Sequence, residues 1–179
     1  MVKISDRLKT AASLIREGAV LADVGTDHGY VPIYLLEQKK IKSAIAMDIN
    51  KGPLERAREH IHLYGMDAYI QTRLSDGVAA LEKGEADSIL VAGMGGGLVM
   101  HILEEGKDIC QAAGELILQP QSELCSVREY LAENGYVTEA ERMVFEDGKN
   151  YLDFSSSRRS SRSQTPSMYC TPRARSYLP

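Results

Sequence analysis

The chain has 179 residues, 44% of them hydrophobic, which suits one domain with a real core. Its formal net charge of −4 argues against a generally basic nucleic-acid binder, and no apolar run approaches membrane-spanning length. The opening "MVKISDRLKTAASLIREG" has no apolar signal region, and Cys110, Cys125 and Cys170 lack metal-type spacing, so a reduced cytoplasmic protein with no metal and no membrane partner is expected.

In chain order, a helix is expected from about Ser5 to Arg16, with Ser5 as its cap and Leu8, Ala11, Ala12 and Ile15 at helical spacing. "AVLADVG" reads as the first strand and "YVPIYLLEQKK" as a helix, with Pro32 tolerable in its first turn. "SAIAMDI" is the second strand, and Pro53 opens a helix that stops at Gly65. "YIQTRLSDG" is the third strand with its turn, and "ADSILVAGMGG" is a strong fourth strand leading into the helix "GLVMHILEEG". "GELILQPQ" is the fifth strand, followed by a helix closed at Gly135. "VTEAERMVFEDGKNYLDF" holds one further strand and the start of another. This alternation predicts an α/β fold over residues 1–154, with a mainly parallel sheet and helices on both faces. Residues 155–179 contain eight serines, five arginines and no acid, and are expected to be a disordered tail. Without those arginines, residues 1–154 carry a charge of −9. The tail reads either as a solvated appendage or an out-of-frame ending, or as an RNA-binding or phosphorylated segment.

In such a sheet, ligands bind outside the carboxyl ends of the strands. Four turns fall there: Asp23 to Gly29, Asp48 with Ile49, Ser75-Asp76-Gly77, and Gly93 to Gly97. The first lacks the G-x-G-x-x-G spacing of a dinucleotide site, and Asp27 stands where a second glycine would be expected. A carboxylate there repels a phosphate at close range. S-adenosylmethionine has no phosphate and carries two cations, so an acidic turn suits it, and Gly25 and Gly29 permit close backbone approach. Asp48 is placed to accept the ribose hydroxyls and Asp76 the adenine amino group. Each is also an ordinary turn residue.

The combination "DVGTDHGY", "AMDIN", "LSDG", "AGMGG" and "LILQP" resembles the bacterial tRNA (adenine(22)-N(1))-methyltransferase family. The resemblance spans about residues 5–151 and implies a Rossmann-like class I methyltransferase domain, S-adenosylmethionine as cofactor, tRNA as partner, and methylation of an adenine at N1. It also implies a helical region after the domain, where this chain has the Ser/Arg segment, and an asparagine where Gln121 stands. That segment predicts poor methylation of tRNA alongside intact cofactor binding.

The expected cofactor-binding set is Arg7, Asp23, Gly25, Thr26, Asp27, His28, Gly29, Asp48, Ile49, Asp76, Gly77 and Gly93. Arg7 would pair with the cofactor carboxylate, unless it is a solvated helix charge, and His28 would orient the loop. Asp27 is also the catalytic candidate, stabilising the alkylated ring or taking its proton. Met94, Gly95, Gly96, Gln119 and Pro120 form the expected substrate-binding set, the glycines letting a flipped base approach the backbone. The glycines equally suit a tight strand-to-helix turn. A small-molecule methyltransferase, or a cofactor-binding form without catalysis, is the alternative; the oligomeric state is open.

Overall fold

The computed structural model describes residues 1–158. α1 (Asp6–Leu14) begins at Ser5, whose hydroxyl accepts from the Leu8 N–H at 3.4 Å. β1 (Ala19–Val24), α2 (Tyr30–Glu37), β2 (Ile41–Asp48), α3 (Lys51–Leu63) and β3 (Ile70–Leu74) follow. The second half comprises β4 (Ser88–Met94), α4 (Gly96–Glu105), α5 (Lys107–Ala112), β5 (Glu115–Pro120), α6 (Leu124–Glu133), β6 (Tyr136–Glu146) and β7 (Lys149–Arg158). Six-residue α5 was not anticipated: "KDICQA" is too short to display a helical period.

The seven strands form one sheet in the order β3-β2-β1-β4-β5-β7-β6. The pairs among β3, β2, β1, β4 and β5 are parallel, whereas β7 is antiparallel to both β5 and β6. Side chains alternate between two cores. Ala22, Val24, Ile45, Met47, Ile89, Val91, Leu116 and Leu118 face α4, α5 and α6. Leu21, Ala44, Ala46, Leu90 and Ile117 face α1, α2 and α3. Both faces are covered, as the sequence pattern predicts. The order reverses between β1 and β4, so the carboxyl ends of these two strands flank the switch point where α/β sheets bind ligands.

The domain boundary expected at residue 154 falls inside β7. Ser155 pairs with Ile117 and Ser156 with Leu116, and both serines are buried. A strand between two partners is held by its backbone ladder, and small serines fit under covered faces, so composition misread these four residues as tail. The remainder of the expected tail, and Cys170, lie outside the described residues. Cys110 and Cys125 are free thiols, one buried and one exposed.

Candidate functional site

The turn after β1 is held over β2 by two backbone bonds, from the Gly25 and Thr26 N–H groups to the Met47 carbonyl at 2.8 and 2.9 Å. Gly25 has φ +74°, and an added Cβ there would lie 2.3 Å from Met94 Cε, so the Met94 side chain seals this glycine from the β4 side. Asp23 is buried at the end of β1, and the Thr26 hydroxyl donates to its Oδ2 at 2.6 Å. Burial pushes the Asp23 carboxyl up to about 6, against the Thr26 hydrogen bond and with a smaller push from Asp48.

Asp27 takes φ +48°, a left-handed conformation that aspartate tolerates better than most residues. Its carboxylate is exposed, 3.2 Å from Arg56 Nη2 on α3 and 3.6 Å from His28 Nε2. The His28 ring lies near-parallel to Tyr30 and His60, with centroids 5.2 and 5.3 Å away. The His28 carbonyl, only an acceptor, sits 3.1 Å from His60 Nδ1, which therefore carries the proton. The His28 carbonyl and ring thus both meet His60 of α3. Gly29 is the left-handed cap of α2 with φ +71°, and a Cβ there would only reach ordinary contact with Ala57 of α3 at 3.4 Å, so its backbone conformation is what calls for glycine.

Asp48 closes β2 half-exposed, with Oδ1 accepting from the Asn50 N–H at 2.8 Å. Its backbone carbonyl accepts from the Ser75 N–H at 2.9 Å, which draws the β3 turn and exposed Asp76 to the same edge. Exposed Ile49 and Leu74 flank this edge. Gly77 faces inward instead: a Cβ there would meet Ile102 of α4 at 3.1 Å.

After β4, Gly93 bends with φ +80°, and a Cβ there would lie 3.6 Å from Arg7 Nη1. Gly96 is buried, and its added Cβ would fall 2.4 Å from the Ser122 carbonyl oxygen, with Val127 also close. The glycine run therefore admits the β5–α6 turn at Gly96 rather than a base, which corrects the expectation for that residue; Gly95 remains exposed at the start of α4. Ser122 Oγ accepts from the Gly96 N–H at 3.1 Å and Glu123 Oε2 from the Gly97 N–H at 2.6 Å. Two donors at the start of α4 are consequently satisfied by protein, one of them by a carboxylate, which makes a poor phosphate cradle.

Gln119 and Pro120 are buried and do not line an open cleft, contrary to expectation. Gln119 Oε1 accepts from Arg7 Nη1 at 2.8 Å, while its Nε2 donates to the Arg7 carbonyl at 3.1 Å and to Asp153 Oδ1 at 2.7 Å. Arg7 Nε is also 3.8 Å from Glu146, and the guanidinium sits 5.4 Å from the Tyr151 ring centroid. Asp153 is fully buried, and burial pushes its carboxyl up to about 6 against the opposing effects of Gln119 and Arg7. Sequence reading missed Asp153, Arg56, His60, Ser122 and Glu123, because none shares a local motif with the residue it serves. Among the described residues there is no metal-ligating cluster, and no helix is long and apolar enough to cross a membrane.

A model described as "Methyltransferase domain" matches residues 4–152. The tRNA (adenine(22)-N(1))-methyltransferase of Bacillus subtilis (strain 168) is 43% identical over 150 residues; the match covers 84% of this chain and 63% of that protein's length. The crystal structure of the B. subtilis m1A22 tRNA methyltransferase is 41% identical with a TM-score of 0.84, covering 88% of this chain and 68% of its own. A Streptococcus pneumoniae protein solved with S-adenosyl-L-methionine is 39% identical with a TM-score of 0.85, covering 90% of this chain and 76% of its own. Sheet order, acidic turns and these likenesses agree: the chain belongs to the methyltransferase-domain family and, within it, to the bacterial tRNA (adenine(22)-N(1))-methyltransferases.

Proposed function

We propose that this chain transfers a methyl group from S-adenosylmethionine to N1 of an adenine in tRNA, position 22 by family. The supporting observation is the acidic rim of the switch point: Asp27, Asp48 and Asp76 stand at the ends of three adjacent strands, and α4 offers no phosphate cradle. This rim fits a phosphate-free, cationic cosubstrate, and the relative solved with S-adenosyl-L-methionine supports the same choice.

When bound, the cosubstrate supplies a sulfonium methyl. We assign Asp48 to the ribose hydroxyls: one carboxylate oxygen is engaged by Asn50, which orients the group and leaves the other free to accept. Ile49 and Leu74 offer exposed apolar surface beside it for the adenine ring, and Asp76 an acceptor for the amino group. Arg7, against the Gly93 bend, takes the carboxylate end.

Adenine N1 attacks with its in-plane lone pair. The N1–methyl bond forms as the sulfur–methyl bond breaks, the sulfur keeps that electron pair, and the ring gains a positive charge until a proton leaves. We assign Asp27 to that charge, with Arg56 and the His28 stack holding its loop in place. The test is methylation of bulk unmodified tRNA followed by nucleoside analysis. N1-methyladenosine is the expected product. Methyl transfer confined to a panel of small molecules would overturn the substrate, and no S-adenosylmethionine binding would overturn the whole reading.

A further inference from the structure

We propose that Asp153 is a positioning residue, acting through Gln119 to hold the Arg7 guanidinium at the β4 turn. The proposal rests on the reading that Arg7 binds the cofactor carboxylate. Asp153 touches Gln119 from β7, Gln119 spans to Arg7 from β5, and Arg7 reaches the Gly93 bend from α1, so one relay crosses three elements.

The relay has a polarity. An ionised carboxylate only accepts, so Asp153 requires the Gln119 NH₂ group on its side. The Arg7 carbonyl makes the same demand on that nitrogen. Gln119 Oε1 must then face Arg7, where it accepts from Nη1. One guanidinium nitrogen is thereby fixed by Gln119, while Nε faces Glu146 at 3.8 Å and Tyr151 supports the plane. Arginine has five N–H donors, so this arrangement leaves donors for a ligand carboxylate.

The second observation is an unmet bond. Asp153 is fully buried, yet its Oδ2 has no hydrogen-bond partner. A buried carboxyl satisfied on one oxygen only is a poor way to stabilise a sheet, because burial penalises its charge. An apolar or amide side chain would fold at least as well. What the carboxylate adds is a second, charged acceptor for Gln119 Nε2, strengthening an orientation that the Arg7 carbonyl also favours.

Asp153→Asn keeps the volume and removes both the charge and the acceptor-only character. The experiment measures the Kd of S-adenosylhomocysteine by calorimetry, cofactor KM and kcat on tRNA, and the thermal midpoint. Expected are a rise of about 5–10-fold in Kd and KM, in line with couplings within one hydrogen-bond network, with kcat at saturating cofactor retained and the midpoint equal or raised. Arg7→Ala and the double variant Arg7→Ala/Asp153→Asn should share one Kd. Gln119→Met, which breaks the relay elsewhere, should reproduce the KM rise. An unchanged Kd in Asp153→Asn, or a loss that adds in full to that of Arg7→Ala, overturns the proposal. Should Asp153→Asn lose its fold, an unchanged Kd in Gln119→Met overturns it equally. If Arg7→Ala alone binds S-adenosylhomocysteine as tightly as wild type, the Arg7 assignment itself fails and takes the relay with it, leaving the methyltransferase reading standing.

Discussion

Asp23 is buried with a carboxyl raised to about 6. Its folded form therefore binds a proton more readily than its unfolded form between about pH 4 and pH 6. The sign follows: its contribution is most favourable in acid and is lost as pH rises through the folded value. Asp23→Asn should stabilise the protein at pH 7 relative to wild type, with the difference shrinking towards pH 4, as read from thermal midpoints across that range. A gain that persists undiminished at pH 4 would rule out desolvation as its source. Asp48→Ala should raise the Kd for S-adenosylmethionine about tenfold or more, since charge-assisted hydrogen bonds are each worth roughly 1.5–3 kcal/mol; calorimetry with unchanged affinity removes the ribose assignment. Asp27→Asn separates two roles. If Asp27 stabilises the alkylated ring, kcat falls further than cofactor affinity, because the interaction grows in the transition state. An unchanged kcat at saturating cofactor and tRNA removes Asp27 from the chemistry.

Where elements meet, glycines set how closely they approach. Gly96 lets α4 pass within contact of the β5–α6 turn, so Gly96→Ala forces a shift of backbone rather than of a flexible tip. The expected cost is about 1–3 kcal/mol, as for overpacked cores, and urea unfolding measures it. Gly25→Ala meets Met94 instead, a side chain that can move. Pairing it with Met94→Ala should recover part of the lost stability, though not the strain at φ +74°. The first five strands and most helices were legible in the sequence because apolar positions alternate cleanly between two covered faces. The acids at the strand ends were legible because each sits beside a local break in that alternation. What sequence reading lost were pairings between distant segments. Arg56 meets Asp27 across 29 positions and Asp153 meets Gln119 across 34, and no local pattern encodes either. The glycines misled it in a different way: at Gly96 the missing Cβ makes room for the β5–α6 turn, and a sequence does not distinguish that from room for a ligand.

At the scale of the whole molecule, β7 stands between β5 and β6 although it is last among the described elements. A chain ending at Phe154 would keep the Leu118↔Phe154 pair yet lose those of Ser155 and Ser156, uncovering backbone donors and acceptors on β5 and β6. Such a chain should melt lower and aggregate more readily than one ending at Arg158, as scanning calorimetry and light scattering will read out. Equal midpoints for the two truncations would show that the last four residues of β7 add nothing.

The position of β7 also sets a timetable. As the polypeptide emerges from the ribosome, β1 to β5 and their helices can assemble in the order of their synthesis. β6 then appears with no neighbour in the sheet, because among the described strands it pairs with β7 alone, still to be made. β7 pairs with both β5 and β6, and it carries Asp153 to Gln119 of β5 and Tyr151 to Arg7 of α1. A half-made chain thus lacks the finished surroundings of Arg7, and these are completed in the same late event as the sheet.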